Sequence, residues 1–239
     1  EHEFSFATER RAGANPLNLI NFSDRLREIK SSCDRMIVLY HGGREGYEYP
    51  SPELQKICRK AAECGASLVI CQHSHCIGSS ERWNNATIVY GQGNFIFDVP
   101  NAKESFYSGF LIRYIVGDYG ADKVEYVPIV RVNGGAEPAS AQKAEELLEQ
   151  FDRRSKRLRV EGFVSARYEK YAATQNEKLF HVFLSGNRFF RALNVLTGRK
   201  PMRLYSRRSL VNILNTLRCE SIHELLVRGL LQNVSPNER

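Results

Sequence analysis

The chain predicts an α/β fold with an α-helical extension, on three observations. Two short apolar runs, 36–40 and 67–71, flank a one-faced helical pattern, the strand–helix–strand unit that builds a parallel sheet. Two longer β runs, 110–116 and 124–132, are joined by Gly117-Asp118-Tyr119-Gly120 and read as a hairpin. Beyond Pro138 the apolar spacing becomes helical. Residues 1–135 are thus expected to form a sheet-bearing domain and residues 136–239 a basic helical extension.

The elements follow in order. Residues 1–16 are polar and irregular, and a helix is expected over about 19–31 with Leu26 and Ile29 on one face. After the first strand, the loop from Gly42 to Pro50 is rich in Gly and Tyr. Ser51-Pro52-Glu53 then starts a helix, with Ser as N-cap and Pro at the first helical position. Leu54, Ile57, Cys58 and Ala61 recur at helical spacing, and Gly65 ends the helix before the second strand. Trp83-Asn84-Asn85 reads as a turn and 87–90 as a strand, which Gly91-Gln92-Gly93-Asn94 breaks before Phe95-Ile96-Phe97. Residues 133–138 read as a linker. Helices are expected at about 141–158, 163–196, 208–218 and 221–232, interrupted at Lys200-Pro201.

Composition narrows the class. With 42% apolar residues in 239 the chain can build a real core and is not a disordered segment. No apolar run reaches the roughly 18 residues that span a bilayer. The start, Glu1-His2-Glu3-Phe4, has neither the basic nor the apolar stretch of a signal peptide. It also has no initiating Met, so the chain reads as a fragment or a processed product. The six cysteines, at 33, 58, 64, 71, 76 and 219, make no Cys-x-x-Cys, and free buried thiols are expected. That usage leans toward a reducing, cytoplasmic setting. Residues 151–239 hold 18 Lys+Arg against 7 Asp+Glu, so the basic excess of the chain lies entirely in this part. Such a surface suits an acidic polymer or an anionic membrane, or is simply the solvated face of packed helices; no nucleic-acid motif accompanies it.

The chemistry concentrates at two strand ends. The run Cys71-Gln72-His73-Ser74-His75-Cys76 follows one strand, and His41-Gly42-Gly43 follows the other. Open α/β sheets build their sites at this carboxyl edge. Imidazoles placed there are candidate ligands for zinc, manganese, iron or nickel. Cys71 and Cys76 leave a structural zinc site open as an alternative, although four donors crowded into six residues suit one tetrahedral ion poorly. Polar loop histidines without a metal remain the plainest reading.

Four ordered motifs resemble the CapA family of capsule or poly-γ-glutamate synthesis proteins, which carry a metallophosphoesterase-like domain. They are Tyr40-His41-Gly42-Gly43-Arg44-Glu45, Pro50-Ser51-Pro52-Glu53, the run from Cys64-Gly65-Ala66 to His73-Ser74-His75, and Gly93-Asn94-Phe95-Ile96-Phe97-Asp98. They parallel the family's His-Trp-Gly, Pro-x-Pro-Glu, Gly-His-His-Pro-His and Gly-Asn-Phe-x-Phe-Asp. Gly42, Gly46, Cys71, Gln72 and Ser74 depart from that pattern, which bears on substrate preference.

The resemblance implies a partial calcineurin-like α/β sandwich. In it, His41 and His73 are similar to ligands of one metal and His75 to a ligand of the other, all three at the catalytic centre. Asn94, Asp98 and Glu45 would play supporting roles. It further implies two divalent ions, of Mn, Zn, Fe or Mg, and hydrolysis of a phosphoester by metal-held hydroxide. The carboxylate ligands would come from an N-terminal half of the domain that residues 1–33 do not resemble. The alternative is a non-catalytic module of the same fold that holds an anionic polymer or a partner protein through its basic helices. A weaker third reading is a structural protein with a single metal.

Overall fold

A computed structural model describes residues 6–96, 103–118, 122–184, 192, 195–196, 198 and 205–218. Its contacts gather Pro16–Tyr168 into one compact unit, and Glu1–Asn15 with Glu169–Arg239 into another.

The first unit is mixed α/β. Helix α1 (Phe22–Ser31) buries Leu26, and strand β1 (Ile37–Tyr40) follows. Helix α2 (Pro52–Glu63) starts as its sequence dictates, with Ser51 Oγ accepting from the Leu54 N–H at 3.1 Å. It buries Leu54, Cys58, Ala61 and Ala62, and Gly65, at φ 101°, releases the chain into strand β2 (Leu68–Cys71). β1 and β2 pair in parallel, Tyr40 opposite Cys71, so both strands end at the same edge.

Strands β3 (Ser80–Trp83) and β4 (Ala86–Val89) complete a four-stranded sheet in the order β1-β2-β4-β3. β4 is parallel to β2 and antiparallel to β3. β2 and β4 are buried along their whole length, as central strands covered on both faces are. β3 was not expected from its polar sequence. It forms because Asn84 and Asn85 both take positive φ, 45° and 65°, the signature of a tight hairpin turn.

A second sheet contains β5 (Ser108–Ile115), β6 (Lys123–Val132) and β7 (Gly135–Pro138), in that order and antiparallel throughout. The expected hairpin is β5–β6. The expected linker at 133–138 is corrected in part: Gly135–Pro138 pairs with Ile129–Val132 and is a strand. Its residues, Gly, Ala, Glu and Pro, have little β propensity, and the open edge of β6 supplies the missing drive.

Helix α3 (Ala141–Arg157), capped by Ser140 Oγ on the Lys143 N–H, sends Leu147 and Phe151 into a core shared with Leu68, Ile70, Ile77, Val89 and Phe110. The compact unit therefore runs past residue 135 and includes α3. Helix α4 (Phe163–Leu184) follows it in the chain. The other unit includes helix α5 (Arg207–Arg218) and an isolated turn in which Phe6 bridges Ala14 and Thr8 bridges Arg11. Among the described residues no helix is long and apolar enough to cross a membrane. The helix expected at 221–232, and Phe97, Asp98 and Cys219, lie outside the described residues.

Candidate metal centre

The parallel register of β1 and β2 places the segments after Tyr40 and Cys71 side by side. His41 and His73 meet there: His73 Nδ1 and His41 Nε2 share a hydrogen bond of 3.0 Å, and their ring centroids are 4.8 Å apart. His75 lies next to this pair, its centroid 5.6 Å from that of His73. The turn carrying these rings is pinned from below. Ser74 is buried, its hydroxyl donates to the Cys76 carbonyl at 3.1 Å, and its own carbonyl accepts from the Gly46 N–H at 2.8 Å.

The loop after β4 supplies the third side. Gln92 accepts from the Phe110 N–H on β5 and donates its own N–H to the Cys71 carbonyl at the end of β2, so it joins the two sheets. At the next step Gly93 bridges Gly109. A Cβ on Gly109 would stand 2.3 Å from the Asn94 carbonyl oxygen, and one on Gly93 would stand 2.6 Å from the Gly109 Cα. Only two glycines allow the backbones to cross this closely, and the crossing delivers Asn94 to His75. Asn94 Oδ1 lies 2.9 Å from His75 Nδ1, while its amide nitrogen donates to the His75 and Phe106 carbonyls at 3.3 and 2.9 Å. Phe106, in the 3-10 turn Glu104–Tyr107, lays its ring on His75 at 5.8 Å and 20°.

Electrostatics favours the neutral form of His73. His73 is held below its ordinary pKa by burial first and then by the neighbouring His41; Glu45 pulls the other way and His75 adds to the depression. Glu45 is exposed in the loop after Gly43. A neutral ring keeps one nitrogen lone pair for a Lewis acid.

The sequence-derived candidates thus divide. His41, His73, His75 and Asn94 come together; Glu45 contributes charge alone; Asp98 lies outside the described residues. Two contributors were not legible in the sequence. Phe106 carries no motif. The crossing of Gly93 with Gly109 joins residues 16 apart, and only the Gly-Gln-Gly-Asn signal pointed near it.

The residues fit a metal in part. The 3.0 Å separation of the His41 and His73 nitrogens suits adjacent ligands on one ion, given bonds of about 2.0–2.1 Å. Among the described residues, however, no group of three His, Cys, Asp or Glu side chains is disposed to hold a metal, so the ligand set is not closed. Both cysteines of the zinc alternative, Cys71 and Cys76, are buried. Cys71 Sγ lies 3.5 Å from Cys58 Sγ and is kept a thiol by that contact and by burial, and burial pushes Cys76 up to about 11.

Comparison with known proteins places this centre in a family context. Residues 2–99 match the family described as "Bacterial capsule synthesis protein PGA_cap". The chain is similar to the "Capsule biosynthesis protein CapA" of Bacillus anthracis, 26% identical over 143 residues, which are 57% of this chain and 34% of that protein. It is likewise similar to the "PGA biosynthesis protein CapA" of Bacillus subtilis (strain 168), 26% identical over 117 residues, 49% of this chain and 30% of that protein. The chain thus spans about a third of the length of these relatives.

Proposed function

We propose, from the match of residues 2–99 to the capsule-synthesis family and the likeness to two CapA proteins, that this chain carries the histidine part of a metal-dependent phosphoester hydrolase acting in capsule or exopolymer biosynthesis. The observation that supports it is the meeting of His41 and His73 at 3.0 Å, with His75 beside them, at the shared carboxyl edge of β1 and β2. His41, His73 and His75 would hold divalent metal through their ring nitrogens, and the carboxylate ligands would come from outside the described residues. Such an ion supplies Lewis acidity, polarising a phosphoryl oxygen and lowering the pKa of a nearby water. The chain's own part is to fix the rings. Buried Ser74 pins the turn, and Asn94 orients His75, as partners behind metal-bound histidines commonly do.

Metal analysis of the purified protein, paired with hydrolysis of a chromogenic phosphodiester, tests this reading. Replacing His41, His73 and His75 one at a time by Ala is expected to lower metal content and to reduce activity on the order of 100-fold. Unchanged metal content and activity in the triple variant overturn it.

A second reading has its own observation, the 18 basic against 7 acidic residues over 151–239. On it the chain is a non-catalytic module that holds an anionic polymer electrostatically. It predicts polymer binding that weakens with salt and survives the triple histidine variant.

A further inference from the structure

The hydrogen bonds around Asn94 determine more than the placement of His75. An amide can be turned either way about its last bond, and here its neighbours decide. The Asn94 nitrogen faces two carbonyl oxygens, those of His75 and Phe106, at 3.3 and 2.9 Å. Carbonyls only accept, so the atom facing them must carry hydrogens. The opposite atom, 2.9 Å from His75 Nδ1, is therefore the amide oxygen. An oxygen acceptor at that distance requires a proton on Nδ1. Neutral His75 is then the Nδ1–H tautomer, with the lone pair on Nε2, opposite to the form that imidazole favours in water.

Phe106 is built into the same device twice. Its carbonyl fixes the Asn94 amide, and its ring lies near-parallel beside the imidazole, offset from it with the centroids 5.8 Å apart. His75 itself stands at φ 54°, a left-handed backbone that a side-chain-bearing residue adopts only when its surroundings impose it.

We propose that Phe106 is a positioning residue for His75: through its ring and through Asn94 it locks the imidazole as the Nδ1–H tautomer, so that Nε2 is presented as a Lewis base for a cation and not as a donor to an anion. The cation role rests on the metal reading of the centre; the tautomer does not. Phe106 needs no contact with metal or substrate for this, and the 3-10 turn Glu104–Tyr107 becomes part of the site through it.

Two-bond proton–nitrogen correlation spectra of the histidine-labelled protein at pH 8 test the proposal. His75 is expected with a protonated Nδ1 and a bare Nε2. In Phe106→Ala the His75 signals should move toward the mixture of tautomers seen for a free imidazole, while His41 and His73 hold. Phe106→Tyr, which keeps the ring, should restore the parent pattern. Zn²⁺ titration should shift the His75 Nε2 signal in the parent, with affinity falling about 10- to 100-fold in Phe106→Ala. Should Phe106→Ala fail to fold, Phe106→Leu keeps most of the volume without a flat face and makes the same comparison.

A protonated Nε2 in the parent overturns the proposal, and so does a Phe106→Ala or Phe106→Leu spectrum identical to it. If Zn²⁺ perturbs all three histidines yet the Phe106 variants change nothing, the positioning role falls and the metal reading stands. If Zn²⁺ perturbs none of them while the tautomer shifts as expected, the metal reading falls, and with it the cation role, and Phe106 keeps only the tautomer lock.

Discussion

At His75 the backbone holds φ 54°, a conformation that costs a residue bearing a Cβ about 1–2 kcal/mol and that Asn tolerates better than most. The ring must therefore be worth that cost to the protein. His75→Asn separates the two quantities: it eases the backbone and removes the imidazole. Its unfolding free energy, measured in urea, is expected within about 1 kcal/mol of the parent, while zinc binding at the centre is lost; a large loss of stability would mean that the ring is there for packing. The three histidines were legible because each follows an apolar run and strand ends recur as site positions. The Asn94 contact was suggested by its motif alone. Phe106 was illegible for a physical reason: stacking and a backbone carbonyl need a three-dimensional neighbour and leave no mark on residue type.

The loop after β4 works as an element because Gly93 and Gly109 let two backbones touch. Gly109→Ala would drive a Cβ to 2.3 Å from the Asn94 carbonyl, a backbone atom that cannot rotate away. The cost is expected at about 1–3 kcal/mol by thermal or urea unfolding. The displaced Asn94 should also disturb the His75 ring signals, whereas Gly135→Ala, where nothing lies within 4 Å of the added Cβ, should leave those signals in place. Legibility at this scale follows the source of the order. α2 was readable from Ser51-Pro52 to Gly65 because its caps are local chemistry. β3 and β7 were not, since Ser80–Trp83 and Gly135–Pro138 owe their extension to the strands beside them. Asn84-Asn85, both at positive φ, is the one local clue to β3, and it marks the turn without marking the polar strand before it.

Across the compact unit, the two sheets are tied at both ends of β1. At the carboxyl end the Gln92 crossing joins β2 to β5, and at the amino end Arg35 pairs with Asp122, just before β6. The Arg35 guanidinium and then the Tyr114 hydroxyl hold the Asp122 carboxyl down at about 2. An unfolded aspartate titrates near 3.9, so the folded state binds this proton more weakly than the unfolded state does. The contact therefore contributes its full stability above about pH 4 and loses it as the pH falls through about 2. In Asp122→Asn, which keeps the shape but cannot ionise, that dependence should vanish. The difference in unfolding midpoint between parent and variant is expected to stay constant from neutral pH down to about 4 and then to shrink toward zero. A difference that held unchanged to pH 2 would mean that the Arg35–Asp122 pair does not join the sheets as an ion pair in solution.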